Sequence, residues 1–361
     1  VFNNALAGAA GSGGADAYKI ERSLRFDREA GSNLSKTFST SGDTTKFTWS
    51  FWFKGCDSGS GASPFLIGIE TDNTNRAGLY YSAESLRFYS RVENTTHFDI
   101  VTQAVFRDPS AWYHCVIAVD VVKSFANGGF KIYINGVDTP CTANLYTQGQ
   151  PLYWNTASAH AIGIRPGYTD RYYSGYMADI HFVDGMQLAP DGVFGEFDAN
   201  TGVWNPIEYT GEYRLPVNQT QTWSSFGGSG TYSSTYDWTQ LFDSDSGSKT
   251  VPANGSSITA DFTSLSGGGI AYTSSLEVYY RRNTSAPDVT VNGSGINAPN
   301  DAKNHVYKVT GSGTLTSVGT QQRTTAGAGD CSLLKIVIDG KELVDQGVTP
   351  ISNGFHLDFS D

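Results

Sequence analysis

Apolar side chains recur at every second position through much of this chain, and no stretch of 12 or more residues keeps the helical spacing. In Phe47–Lys54, Phe47, Trp49, Phe51 and Phe53 alternate with Thr48, Ser50, Trp52 and Lys54. Successive side chains of a strand point to opposite faces, so this spacing predicts a strand with four aromatics on one face. Ala111–Asp120 is a long apolar run, and Gly129–Gly136 alternates Phe130, Ile132 and Ile134 before an Asn135-Gly136 pair suited to a tight hairpin turn. Gly175–Gly185 sets Tyr176, Ala178, Ile180 and Phe182 against Met177, Asp179, His181 and Val183. Further strands are expected at Ser23–Asp27, Pro64–Glu70, Ala77–Tyr81, Leu86–Val92, Thr96–Thr102 and Ala161–Arg165, with one helical turn in Leu188–Asp198. So many short alternating segments predict an all-β chain made of two-layer sandwiches, with Trp49 and Phe51 in the core.

The texture changes along the chain. Residues 1–17 are small and nearly uncharged, too poor in large apolar groups to fold alone. They read either as a disordered tail or as a peptide that orders when docked, with Phe2, Asn3, Asn4 and Leu6 as its anchors. Residues 18–213 read as the first sandwich. Residues 214–352 are richer in Gly, Ser and Thr and read as a second, smaller one, with strands at Ser275–Tyr280, Pro287–Gly293, Thr314–Val318 and Leu333–Gly340. Asn292-Gly293 and Asp339-Gly340 are its predicted hairpin turns. Residues 353–361 form a C-terminal segment.

Composition supports this reading. The chain has 361 residues, only 39% of them hydrophobic, but 20 Phe, 20 Tyr and 7 Trp supply large rings that fill a core from few positions. The formal net charge of −11 and the lack of any basic run argue against a nucleic-acid partner, because phosphate-backbone binding relies on clustered Lys and Arg. No apolar stretch is long enough to span a bilayer, and the first residues lack the charge and apolar pattern of a secretory signal. Cys56, Cys115, Cys141 and Cys331 lack metal-like spacing and read as reduced thiols, with a Cys115–Cys141 bridge as the alternative.

Catalytic patterns are missing. The sequence has no Gly-x-Ser-x-Gly, no Cys-x-x-Cys, no His-x-x-x-His and no phosphate-cradling loop. Asp179-Ile-His-Phe-Val-Asp184 is the nearest approach to paired carboxylates. Alternation sends Asp184 away from Asp179, so the segment reads as a polar outer face ending in an Asp184-Gly185 turn. His114 reads as a packing histidine inside a strand, and His97, His160 and His181 lack zinc-like spacing. No cofactor is expected. Calcium stays open as an alternative at the oxygen-rich Asp72, Asn73 and Asn75. Sugars lie their C–H faces on aromatic rings and bond their hydroxyls to polar side chains. The candidate carbohydrate-binding residues are therefore Trp154 and the loop that holds Tyr168, Asp170, Arg171, Tyr172 and Tyr173.

Ser23–Asp27, Phe47–Lys54, Trp112–His114, Ile132–Gly136 and Gly175–Gly185 fall in the order of a LamG, concanavalin A-like lectin/glucanase domain, which the chain resembles over about residues 1–213. Phe2–Gly11, Tyr18–Phe26, Phe194–Asp198 and Thr201–Trp204 resemble structural proteins of marine tailed phages, cyanophage-like virion or tail-fibre proteins. The resemblance implies a jelly-roll sandwich and a non-enzymatic virion protein made in the host cytoplasm. It implies docking through the N-terminus on other phage virion proteins, with lectin-like domains turned toward host-surface glycans. A homo-oligomer follows from the need for multivalent display, a trimer being one option. A head-decoration or packing role with no sugar ligand is the alternative, and a glycan-degrading enzyme a lesser one. In such relatives a stretch like Asn353–Asp361 follows the Tyr209–Gly211 region closely, so residues 214–352 read as an insertion.

Overall fold

The computed structural model describes residues 18–55, 63–233, 236–245, 247, 249–253, 256–283, 286–321 and 331–360. The expected docking residues Phe2, Asn3, Asn4 and Leu6 lie outside the described residues, as does Cys56. The chain divides into two units, Val1–Arg214 with Asn353–Asp361, and Leu215–Ser352.

The first unit is a jelly-roll sandwich of two sheets with seven described strands each. The front sheet runs Leu24–Phe26, Gly175–Asp184, Lys46–Gly55, Tyr113–Asp120, Phe130–Ile134 and Val137–Asp138, and Phe355–Leu357 also pairs with Gly175–Asp184. The back sheet runs Cys141–Tyr146, Thr95–Thr102, Ser85–Val92, Arg76–Ser82, Phe65–Glu70, Ala159–Ile162 and Leu34–Thr37. Their inner faces meet as period-two spacing requires. Phe47, Trp49, Phe51 and Phe53 of the front sheet share one core with Leu79, Leu86, Phe88, Phe98 and Ile100 of the back sheet. Phe53 meets Tyr81 with ring centroids 6.4 Å apart, and Phe88 meets Phe130 at 4.7 Å.

The outer face of Lys46–Gly55 is also buried, which alternation does not reveal. Trp52 and Ala178 pack with Ile20 and Trp204. Trp204 belongs to a two-stranded ribbon, Gly195–Phe197 with Trp204–Pro206. The segment before it closes one turn, from the Phe194 amide to the Pro190 carbonyl at 2.9 Å, within the expected Leu188–Asp198 window. The hairpin at Asn135-Gly136 has both residues left-handed, at φ +50° and +79°. A Cβ on Gly136 would stand 2.3 Å from the Trp204 ring, so glycine is required there twice over.

The second unit is a smaller sandwich. One sheet runs Val217–Asn218, Lys341–Leu343, Cys331–Ile338, Ser275–Arg282 and Asn304–Thr310; the other runs Gly227–Ser229, Thr259–Asp261, Ser317–Thr320, Val289–Val291 and Ser294–Gly295. Trp223, Trp238, Phe242, Phe262, Val278 and Leu333 lie in its core. The Asn292-Gly293 and Asp339-Gly340 turns are left-handed at both residues, as two-residue hairpins demand.

Cys115 and Cys141 are both free thiols, so the alternative bridge is not formed. No helix is long and apolar enough to cross a membrane among the described residues.

Candidate functional site

Burying Leu79, Tyr81, Leu86 and Phe88 turns Tyr80, Arg87 and Tyr89 to the outer face of the back sheet. A register shift between Phe65 and Ile67 brings the Phe65 ring onto Tyr80, with centroids 4.6 Å apart and planes 17° from parallel. Arg165, just beyond the Ala159–Ile162 strand, donates from Nε and Nη2 to the Glu70 carboxylate at 2.6 and 3.0 Å. That clamp holds its guanidinium 3.9 Å from the centre of the Tyr168 ring. The Arg171 guanidinium lies 5.3 Å from the same ring, so Tyr168 sits between two cations. Arg76 covers Tyr89 at 5.6 Å.

These groups enclose a cleft of about 150 Å³ lined by Phe65, Arg76, Tyr80, Tyr89, Arg165 and Arg171. No carboxylate lines it among the described residues. The Arg171 Nε is buried and makes no hydrogen bond among the described residues; the Asp170 carboxylate stands 4.0 Å away. Burial raises the Tyr80 phenol above its ordinary pKa, so it stays neutral and able to donate.

Of the expected sugar-binding residues, Arg171 lines this cleft, Tyr168 packs against the Arg165 and Arg171 guanidinia without lining it, and Asp170 is exposed. Tyr172 lies further off, its hydroxyl near Gly31 and its carbonyl accepting from Arg28 Nε at 3.2 Å. Two expectations are corrected. Tyr173 is fully buried beside Phe26 and Tyr81. Trp154 is fully buried, stacked on Phe88 with centroids 4.8 Å apart, and its indole nitrogen donates to the Tyr89 carbonyl at 3.1 Å. A ring with no exposed surface cannot stack on a sugar. Loop position alone does not tell a rim ring from one that plugs the gap between two sheets.

The oxygens considered for calcium have protein partners. Asp72 Oδ1 accepts from the Thr74 amide at 2.7 Å, the Thr74 hydroxyl at 2.5 Å and the Asn75 amide at 2.8 Å. Those bonds lower the Asp72 pKa below the usual carboxylate value. Asn75 Oδ1 accepts from the Glu93 amide, and Asn73 Oδ1 from the Tyr168 hydroxyl.

A second cluster was not legible in the sequence. Asp179 is the extra residue of a bulge in Gly175–Asp184, at φ +49°, where Asp179 and Ile180 together face Phe51. Its Oδ1 accepts from Tyr18 Oη at 2.9 Å and from His356 Nε2 at 2.8 Å, with His181 Nε2 at 3.1 Å. These donors hold its carboxyl well below the ordinary range against the opposing effect of burial. His181 and His356 stand directly opposite on paired strands. Only a pairing between positions 175 residues apart in sequence could have shown this.

Asp184 is likewise not an exposed turn residue. It is buried, accepting at Oδ1 from the Asp43 amide at 2.8 Å and Asn155 Nδ2 at 2.7 Å, and at Oδ2 from the Asn353 amide at 3.1 Å. Asp179 and Asp184 share none of these partners.

Residues 29–190 match the family model Laminin_G_3, described as the Concanavalin A-like lectin/glucanases superfamily. The matched stretch lies within the first unit, whose fold is a jelly-roll sandwich of the concanavalin A-like type. No curated protein matches the chain. Among solved structures, a heptameric SAP-like pentraxin from Limulus polyphemus is 17% identical over 48% of this chain and 80% of its own, with a TM-score of 0.35. Mouse laminin alpha1 domains LG4-5 are 11% identical over 97% and 93%, at 0.35. Tailspike protein 2 of Escherichia coli O157:H7 bacteriophage CAB120 is 13% identical over 46% of this chain and 22% of its own, at 0.33.

Proposed function

We propose that this protein is a non-catalytic, lectin-like structural protein of a tailed-phage virion, of the tail-fibre or receptor-binding type. It displays the cleft at Tyr168 and Arg171 to acidic glycans of the host surface. The carrying observation is the convergence of Arg76, Arg165 and Arg171 with Phe65, Tyr80 and Tyr89 on one cleft that, among the described residues, no carboxylate lines. Guanidinia match carboxylate and sulfate oxygens in pairs, and the half-buried Tyr80 and Tyr89 stand beside them. The usual course of glycoside hydrolysis uses two carboxylates flanking the bond, and none stands among the described residues of this lining. The superfamily match over residues 29–190 supports glycan binding. The phage-like segments Tyr18–Phe26, Phe194–Asp198 and Thr201–Trp204 support the virion setting.

A cleft of about 150 Å³ grips one sugar edge or substituent, well below the roughly 300–1,000 Å³ of enclosing ligand pockets. One such contact is weak. A homo-oligomer on a particle raises avidity by about 10²–10⁴, which makes weak sites sufficient for adsorption.

The test is binding of the purified chain to immobilised polyuronate and sulfated galactan, with a neutral β-glucan as control. Retention on the acidic polymers that is lost in Arg171→Ala and Tyr168→Ala, with unfolding unchanged, is expected. Equal retention on all three polymers, or binding untouched by both substitutions, would move the assignment to a packing role inside the particle. Release of reducing ends would restore the enzyme reading.

A further inference from the structure

We propose that Asp179, His181 and His356 form a binding site for one divalent transition-metal ion of the zinc class. The inference does not depend on the glycan reading, since its residues stand apart from those of the arginine cleft.

Two imidazoles and one carboxylate are a donor set that suits zinc and its neighbours, whereas calcium takes six to eight oxygens. Their ligand atoms all lie within 4.8 Å of one another. Both Nε2 atoms face the same Asp179 oxygen, at 3.1 Å for His181 and 2.8 Å for His356. An ion at the centre of the three replaces those two hydrogen bonds. The rings are stacked, with centroids 4.1 Å apart and planes 10° from parallel. Each must therefore turn about its Cβ–Cγ bond to aim a lone pair at a shared ion, and that torsion is broad.

The surroundings hold the ligands in place. The Tyr213 hydroxyl lies 2.9 Å from His181 Nδ1. With Nε2 turned to an ion, Nδ1–H would donate to Tyr213 and the ring would be held in that orientation. Tyr18 bonds the carboxylate from the other side. A cavity of about 410 Å³ opens on the cluster, lined also by Glu21, Glu208 and Asp358 against Lys19 and Arg22. Carboxylates outnumber cations there, which favours a divalent ion, and the open side leaves a coordination position for water.

The bound ion would clamp Phe355–Leu357 to Gly175–Asp184, a pairing only three residues long. Because the site needs both strands in place, an ion that binds the folded chain stabilises it by mass action.

The experiment uses the full chain, free of any histidine tag and stripped with chelator, titrated with Zn²⁺ and separately with Co²⁺. Expected are one Zn²⁺ per chain by calorimetry and elemental analysis, a raised thermal midpoint, and visible Co²⁺ bands of low-symmetry four-coordination. His356→Ala removes a half-exposed ring and leaves the core intact; it should weaken Zn²⁺ binding by about tenfold or more and abolish the thermal shift. Asp179→Asn should act likewise, and if it fails to fold, His356→Gln takes its place. No uptake by the native chain overturns the proposal and leaves a hydrogen-bonded hub. So does uptake with the same affinity in the His356 variants.

Discussion

The indole Nε1 of Trp204 donates to Nδ1 of His114 at 3.0 Å, inside the protein. Indole only donates, so Nδ1 carries no proton, and Nε2–H donates to Ser50 Oγ at 2.8 Å. Burial pushes the His114 pKa down to about 3. His160 is neutral in the opposite tautomer. Its Nδ1 donates to the Ser158 carbonyl at 3.0 Å and its Nε2 accepts from the Asn155 amide at 3.2 Å, with the pKa pushed down to about 4.

Both histidines therefore take a proton in the unfolded chain, near pH 6.5, before they can in the folded one. Their contribution is complete above that pH and is lost as pH falls toward about 4 for His160 and about 3 for His114. Each should remove on the order of 1.4 kcal/mol per pH unit within its window. Asp184 runs the other way: burial raises its carboxyl, so its contribution is lost as pH rises through the folded value. Substituting one histidine separates the effects. Denaturant unfolding measured between pH 6.5 and 4.5 should show stability falling with acid, and His160→Gln should remove one proton from the slope. An unchanged slope in that variant would contradict the neutral assignment.

Trp49 meets Trp154, Phe182 and Phe355, with ring centroids 6.3, 4.7 and 5.6 Å away. It is almost fully buried. Trp49→Ala should cost about 3–5 kcal/mol, read as a lower denaturant midpoint, because neighbours held by two sheets cannot collapse into the space. Trp49→Phe, which keeps a ring, should cost clearly less. Equal losses in the two variants would mean that ring volume is not what the site requires.

The strands around Phe47–Phe53 and the three X-Gly turns were legible because aromatic alternation and turn pairs are local signals, whereas Leu34–Thr37, Cys141–Tyr146 and Asn304–Thr310 lack such a pattern and were not expected. The arginine cleft was legible in part. Tyr168 and Arg171 follow a Pro-Gly pair, but Arg76, Tyr80 and Arg165 join them only through strand order. Trp154 and Tyr173 misled because a ring in a loop is drawn either to solvent or to a gap between layers, and composition is the same for both. Asp179 and Asp184 misled for another reason. Polar residues at these positions imply solvent, yet Asp179 is met by Tyr18, His181 and His356, and Asp184, on the Phe182 side of the strand, by Asp43, Asn155 and Asn353.

Asp184 holds three separate segments through the Asp43 amide, Asn155 and the Asn353 amide. Asn353 Nδ2 closes the network on Asn155 Oδ1 at 2.8 Å and the Thr40 carbonyl at 3.0 Å. Asp184→Ala leaves buried donors unpaired, at about 1–3 kcal/mol each. Gly42→Ala should damage the same network without touching a polar group, since its added Cβ would stand 2.2 Å from Asp184 Oδ2 and 2.4 Å from Asn155 Nδ2. The double variant should then be less destabilised than the two single losses added together. Strict additivity in unfolding experiments would show that Gly42 acts elsewhere.

The Glu70–Arg165 clamp separates two explanations of acidic-glycan binding. If attraction to the arginine cleft were only a matter of charge, Glu70→Gln would remove a negative charge near the site and tighten binding. If the clamp matters because it holds Arg165 flat over Tyr168, the same substitution should weaken binding. The bidentate bonds at 2.6 and 3.0 Å and the 3.9 Å stack favour the second outcome, since both partners are largely buried and the guanidinium is fixed before a ligand arrives. Arg76→Ala supplies the contrast: its guanidinium lies at an exposed part of the cleft, so its contribution should fade as NaCl is raised and the Debye length shortens to a few ångströms. The Glu70→Gln loss, being geometric, should persist at high salt. Polyuronate affinity measured for the three proteins across a salt series tests both expectations, and tighter binding by Glu70→Gln at every salt concentration would reject the preorganised cleft.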